Sequence, residues 1–134
     1  MSRFDPLFLS VLEAIAASEA LGDTFMNQPA GWMGWDLPPP ADQEDGYPCV
    51  RIQLLDSRNT KQGQYSFNIS LWLRTDNSDA SKDKFFDLAD ELEARLNERK
   101  DIICRGYIER SEPQNGLNRA IFPITYIAGL RPTT

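Results

Sequence analysis

Residues 65–74, with the sequence YSFNISLWLR, alternate between apolar and polar side chains. The odd-numbered positions are all apolar: Tyr65, Phe67, Ile69, Leu71 and Leu73. The even-numbered positions are polar with one exception, a tryptophan: Ser66, Asn68, Ser70, Trp72 and Arg74. A period of two places alternate side chains on opposite faces of a β-strand. The segment therefore predicts a half-buried strand at the middle of a sheet, with an apolar face that other elements must cover.

Three other segments have strand patterns. Residues 48–56 alternate, and the polar residues 57–64 join them to the strand at 65–74, which predicts an antiparallel hairpin with a long tip. Residues 101–112 and 118–130 complete a sheet of four strands, or slightly more. We expect this sheet to be twisted and mainly antiparallel.

Two residues predict irregular points in the later strands. Gly106 indicates a bulge or a close backbone approach within residues 101–112. Pro123 cannot donate a hydrogen bond to a neighbouring strand, which indicates an edge position or a bulge in the last strand. Between these strands, Asn115 and Gly116 form a dipeptide that is typical of a tight turn.

Two segments have helical periodicity. Asp5 and Pro6 are favoured at the start of a helix, and apolar residues then recur at helical spacing, so a helix is predicted over residues 6–21. A second helix is predicted over residues 81–98. The order of elements is α-β-β-α-β-β, which predicts an α+β fold with both helices packed on one face of the sheet.

Residues 23–47 are rich in proline and glycine and predict a long loop. Trp32, Met33 and Trp35 lie within it. Two interpretations are open for the tryptophans. They either fold back on the core or form an arm that binds a partner, since tryptophan is enriched among interface anchors.

The chain has 134 residues, a length that suits one domain spanning residues 1–134. Its formal net charge is −6, which argues against a general nucleic-acid binder. Only Cys49 and Cys104 are present, both in apolar runs, which predicts buried thiols rather than a disulfide. We expect synthesis in the cytosol and no association with a membrane, because neither a signal-peptide pattern nor a transmembrane run is visible.

The sequence offers little chemistry for catalysis. It contains no histidine, which removes the commonest general base and metal ligand. Phosphate-binding, zinc-binding and serine-hydrolase motifs are also missing from the sequence. Asp42, Glu44 and Asp45 lack the spacing of a calcium-binding loop. We therefore expect a protein that is not an enzyme, with no catalytic residues, cofactor or metal.

Four segments carry a family resemblance. They are residues 46–52 (GYPCVRI), 67–73 (FNISLWL), 86–96 (FDLADELEARL) and 119–126 (RAIFPITY). Together with the order of the predicted elements, they resemble the tail terminator, or tail completion, proteins of long-tailed bacteriophages and prophages. The likeness spans most of the chain, from the first helix to the last strand. Its strongest parts are the element order and the Tyr47-Pro48 pair before the first strand.

The resemblance implies a structural virion protein. Such subunits close into a hexameric ring that caps the tail tube, stops its polymerisation and presents a surface on which the head docks. The implied partners are further copies of the chain, the tail tube protein and head–tail connector proteins. DNA would pass through the ring without specific binding, which the acidic balance of the chain favours because like charges repel. The expected location is the head-proximal end of the phage tail, after synthesis in the host cytoplasm.

Two other functions remain open: a connector or neck protein at the head–tail joint, and a monomeric protein-binding module. All three predict contact surfaces on exposed loops and strand edges. The candidate interface residues are Trp32, Met33, Trp35, Arg58, Lys61, Trp72, Gln114 and Asn115. The basic residues Arg51, Arg58, Lys61 and Arg74 near the predicted hairpin form either an anion-facing patch or a scattered, solvated set.

Overall fold

Strand β3 (Gln64–Arg74) occupies the middle of a six-stranded sheet, as its alternation predicted. The computed structural model describes residues 4–28, 31–40, 46–56, 63–76, 78–112 and 115–130. Strand β3 pairs antiparallel with β2 (Cys49–Asp56) on one side and with β6 (Leu117–Ile127) on the other. All five of its apolar odd-numbered positions are buried.

The sheet is mixed and has the order β1-β2-β3-β6-β4, with β5 also paired to β6. Strand β1 (Met33–Trp35) runs parallel to β2, whereas β4 (Ile102–Cys104) and β5 (Ile108–Glu112) run antiparallel to β6. The α+β class is therefore confirmed. The four-stranded order is not, because the predicted loop at residues 23–47 contains β1 and the predicted strand at residues 101–112 is interrupted.

The interruption between β4 and β5 is a register change of one residue. Cys104 lies opposite Ile124, and Ile108 lies opposite Ile121. From Cys104 to Ile108 the chain therefore advances four residues, while its partner β6 advances three. Gly106, whose φ is 88°, supplies the backbone conformation for the extra residue, as its sequence position predicted.

The first helix is shorter than the sequence predicts. Helix α1 (Asp5–Ala16) ends before Ser18, which has an extended backbone and accepts a hydrogen bond from the Leu21 amide through its side chain. A short helix α2 (Glu19–Leu21) and a π-helical turn (Gly22–Met26) follow. The single helix predicted over residues 6–21 is wrong because the Ser18 hydroxyl caps a new helix rather than continuing the first one.

Helix α3 (Asp79–Asn97) agrees with the prediction within two residues at its start. Ser78 is its N-cap, with a hydroxyl that accepts a hydrogen bond of 3.1 Å from the Ser81 amide. Its predicted apolar stripe is buried: Phe85, Leu88, Ala89, Leu92 and Leu96. Helices α1 and α3 pack together over the apolar face of β2, β3 and β6, and these elements form one hydrophobic core.

A polar network ties α1 to the turn that precedes β4. The Ser10 hydroxyl donates a hydrogen bond of 2.9 Å to Asp101 Oδ1 and accepts one of 3.1 Å from Arg99 Nε. Arg99 also forms a 2.6 Å ion pair with Glu13. Ser10 and Asp101 are both buried. The network fixes the helical layer against the end of the sheet, because each buried polar group has a partner.

Candidate functional site

The face of the sheet opposite α1 and α3 is the candidate site, and we call it the open face. In the described part of the chain, both long helices pack on the other side. The centre of the open face is formed by the even-numbered positions of β3: Gln64, Ser66, Asn68, Ser70, Trp72 and Arg74. These positions share one face, as the alternation predicted, and most of them are polar.

One end of the open face is a small aromatic cluster. It consists of Tyr47, Cys49, Trp72 and Leu117, which form a hydrophobic group separate from the main core. The Tyr47 and Trp72 rings lie 6.1 Å apart in an edge-to-face arrangement. Burial raises the pKa of the Cys49 thiol to about 11, so this cysteine is a packing group and not a nucleophile.

Two arginines cover this aromatic cluster. The guanidinium of Arg119 lies 4.8 Å from the centroid of the Trp72 ring, and that of Arg74 lies 5.0 Å from the Tyr47 centroid. Arg119 also donates hydrogen bonds of 3.0 and 2.8 Å to Ser70 Oγ. The Trp72 Nε1 group is buried and has no hydrogen-bond partner among the described residues. Trp72 is therefore a covered platform rather than an exposed anchor.

The open face is rich in arginine. Strand register and the lining of a depression assign five arginines to it: Arg51, Arg74, Arg105, Arg110 and Arg119. Among the side chains that the structure describes on these strands, Glu112 is the acidic residue on the same face. Arg110 lies directly opposite Arg119, a like-charge pairing that costs free energy unless anions are nearby. Burial lowers the pKa of the Arg119 guanidinium, and the nearby Glu112 carboxylate opposes this shift.

A shallow depression of about 510 Å³ lies on the open face near β4. Its lining includes Leu55, Ser66, Ile103, Arg105 and Pro123. Leu55 is 53% exposed and Ile103 is 41% exposed. A depression lined by exposed aliphatic side chains and one arginine is typical of a surface that another protein contacts.

The segment around β1 folds back on the core, which was one of the two interpretations of its tryptophans. Trp32 packs on Phe25 with ring centroids 5.9 Å apart, and Trp35 packs on Phe8 at 5.7 Å. Met33 is half-buried against the same core. Because β1 is an edge strand, these residues still lie at the rim of the sheet, and their contact role stays a prediction.

Arg51 holds the β1 segment in place. Its guanidinium donates hydrogen bonds of 3.2 Å to the Leu37 carbonyl and 3.1 Å to the Trp32 carbonyl. It lies 3.5 Å from the position that a Cβ atom at Gly34 would occupy. A Cβ atom at Gly34 would therefore make ordinary van der Waals contact with the Arg51 guanidinium.

The remaining predicted contact residues fall into two groups. Asn115 is exposed and lies beside the aromatic end of the open face, where it donates a 3.3 Å hydrogen bond to Glu112 and its carbonyl accepts one of 3.4 Å from Arg74. Three lie outside the described residues: Arg58, Lys61 and Gln114. Arg74 was predicted to belong to a basic group near the hairpin. The structure places it at the other end of β3, away from the hairpin connection.

Three arginines of the open face were absent both from the predicted contact residues and from the predicted basic group. They are Arg105, Arg110 and Arg119. The signal that links Arg119 to Trp72 is the register of β6 on β3, which puts the two residues directly opposite each other. Arg105 follows the alternation of β4 from Ile103. Arg110 depends on the one-residue register change at Gly106, whose position the sequence indicates but whose size it does not.

Neither a metal cluster nor a membrane helix is found in the described ranges. Within them, no group of three or more Cys, Asp or Glu side chains is arranged to hold a metal ion. No helix among these residues is long and apolar enough to cross a membrane. The acidic residues Asp42, Glu44 and Asp45 lie outside the described ranges.

No protein-family model matches the chain, and no curated protein matches it.

Proposed function

We propose that the chain is the subunit of a ring that caps a bacteriophage tail tube. In this proposal the ring is hexameric, ends polymerisation of the tube protein and provides the surface on which connector proteins and the head dock. The protein then resides at the head-proximal end of the tail, after synthesis in the host cytoplasm. The resemblance of four sequence segments to tail terminator proteins is the starting point of the proposal.

The open face is the structural feature that best supports the proposal. Both long helices of this two-layer α+β subunit lie on one side of the sheet, so in the described part of the chain much of the other side remains available to another protein. The exposed Leu55, Ile103 and Ile108 add aliphatic contact area there, and Arg105 and Arg110 add charge. An assembly protein needs such surfaces, whereas it needs no cluster of catalytic groups.

The observed element order is compatible with this proposal if three features are counted differently. Helix α2 and the π-helical turn count as an extension of the first helix. Strand β1 counts as an addition within the long loop, because it is three residues long and pairs only at the edge. Strands β4 and β5 count as one interrupted strand, because both pair with β6 in the same direction. Counted in this way, the elements are compatible with the order α-β-β-α-β-β of the resemblance, which supports the proposal.

Charge supports passage of DNA without specific binding. The helices and the π-helical turn hold ten acidic and three basic residues, a formal net charge of −7. A helical layer of this charge repels the phosphate backbone. A ring whose channel is lined mainly by the open-face arginines would contradict this part of the proposal.

The decisive experiment is electron microscopy of tails assembled without this protein. We expect overlong tails that carry no heads, because tube growth would have no stop and the docking surface would be missing. Tails of normal length with detached heads would instead favour a connector at the head–tail joint. Normal tails with attached heads would reject both roles and favour a monomeric binding module.

A further inference from the structure

A second depression lies in the helical layer, between the α2–π-helical segment and α3. Its volume is about 480 Å³, and its charged lining residues are Asp23, Asp87, Glu91 and Lys84. We call it the acidic groove. Three carboxylates against one amine give it a formal charge of −2. Arg95 donates a 2.9 Å hydrogen bond to Glu91, which lowers the pKa of the Glu91 carboxyl.

The acidic groove and the open face belong to opposite layers of the molecule and carry opposite charge. The helical layer bears a formal net charge of −7, whereas the described charged side chains of the open face are five arginines and Glu112. Two such surfaces on one chain cannot meet within that chain, because the sheet and its core separate them. They can meet between two copies.

We propose that the open face of one copy docks on the acidic groove of a second copy. In this contact Arg105 and Arg110 face Asp23 and Asp87 of the neighbour. The exposed Leu55 and Ile103 pack near Ala20, an apolar residue of the groove lining. Opposite charge steers the two surfaces together and fixes their register, while the aliphatic contacts exclude water. The inference rests on the proposed ring and specifies its subunit contact.

A contact between different surfaces has a consequence for assembly. Each copy offers its open face to one neighbour and its acidic groove to another, so the contact is heterologous. Repetition of a heterologous contact gives a closed ring when the rotation between copies closes, and a filament when it does not. The contact also covers the arginines, which leaves them unable to hold DNA in the channel.

Sedimentation velocity of the purified full chain at low and at high ionic strength tests the contact. For the wild type we expect an assembly larger than a monomer that dissociates as salt rises, because salt screens the charges. The double variant R105E/R110E and the double variant D23K/D87K should each weaken association by about a hundredfold, since like charges then face each other. All four positions are exposed, so the fold should tolerate these changes.

The charge-swapped chain that carries all four substitutions should assemble again, because opposite charges face each other in the reversed sense. A mixture of the two double variants should also assemble. The matched control is K82E/K100E, which changes the net charge by the same amount as R105E/R110E at exposed positions outside both surfaces. This control should assemble as the wild type does. Circular dichroism melting curves check that every variant is folded.

Several results would overturn the inference. A wild type that stays monomeric at every ionic strength is one, and folded reversal variants that assemble normally are another. A third is a loss of DNA binding in R105E/R110E with assembly unchanged, which would assign the arginines to DNA. Failure of the contact is separable from failure of the proposed function. If the reversal variants still form rings, the terminator role stands and this contact is rejected. If assembly depends on the charges but tails are normal in the phage lacking the protein, this contact stands and the terminator role is rejected.

Discussion

The guanidinium of Arg119 lies 4.8 Å from the centroid of the Trp72 ring, and the two residues are direct cross-strand neighbours. This stacking explains why a tryptophan can occupy the polar side of β3 and still be only 6% exposed. Arg119 is in turn held by two hydrogen bonds to Ser70. The pair is a rigid platform within the open face, so variants at Arg119 test stability, and variants at Arg105 and Arg110 test contact with another molecule.

Replacement of Arg119 by alanine should lower the free energy of unfolding by about 1–3 kcal/mol, the sum of a partly desolvated cation–π contact and lost hydrogen bonds. Urea denaturation measures this loss. R119K should fall between the wild type and R119A, because lysine keeps the charge but lacks the planar fork that reaches Ser70. An unchanged stability of R119A would contradict the assignment.

Trp35 should contribute to stability through its packing on Phe8 and Phe67. Since the side chain is half-buried, we expect W35A to cost about 2–3 kcal/mol, below the cost for a fully buried aromatic residue. W32A should cost a similar amount through its contact with Phe25. Thermal melts of both variants measure these losses.

The phenylalanine variants W32F and W35F separate packing from contact with a partner. They keep an aromatic ring on the core and should retain most of the stability. If they assemble normally while the alanine variants are merely less stable, the tryptophans serve the core. Loss of assembly in a stable phenylalanine variant would instead assign them to an interface.

Asp101 should give the protein a stability component that grows as pH falls. Burial raises the pKa of this carboxyl in the folded state, with the Ser10 hydrogen bond opposing the shift. The folded state therefore binds more protons than the unfolded state between the raised value and the ordinary value of about 3.9. Stability from this group increases as pH falls through that window and is complete below it.

Urea denaturation of the wild type and of D101N across that pH range measures the effect. The difference in the free energy of unfolding should move in favour of the wild type as pH falls, because asparagine cannot take up the proton. S10A, which lacks the hydroxyl donor, should enlarge the effect, since the ionised carboxylate loses a partner. A difference that is constant with pH would reject this account.

Both cysteines should resist thiol reagents in the folded protein. Burial raises the pKa of Cys49 and of Cys104 to about 11, and both thiols are free. At pH 8 their thiolate fraction is lower than that of an ordinary cysteine by roughly two orders of magnitude. A colorimetric thiol assay should report almost no reaction before denaturation and both thiols after it. Rapid labelling of native C49A, which leaves Cys104 alone, would show that Cys104 is accessible.

The parts of the fold that the sequence predicts are those with long, regular patterns. The alternation at residues 65–74 gives β3 and the facing of its side chains, and the stripe from Phe85 to Leu96 gives α3. Strand β1 escapes prediction because Met33–Trp35 contains a glycine, is three residues long and is stabilised by pairing with β2 rather than by its own pattern. Propensity is a weak guide for so short a segment.

The sequence predicts only part of the open face. The polar positions of β3 indicate a polar face, yet four of the five arginines that give it charge come from outside β3. Their positions depend on how β6 is registered against β3 and on how β5 follows β4. Register is a property of the assembled sheet, and a shift of one residue turns every side chain to the other face.

The side on which each residue of β5 lies depends on register in this way. With the extra residue near Gly106, Tyr107 turns inward onto Phe122, while Ile108 and Arg110 turn outward. If the same residues paired without this bulge, the alternation of β4 would continue, and Glu109 would lie opposite Arg119 in place of Arg110. The bulge therefore decides whether a cation, Arg110, or a carboxylate, Glu109, lies opposite Arg119 on the open face. The charge that lies beside Arg119 is thus set by the bulge near Gly106 as well as by the residues of the strand itself.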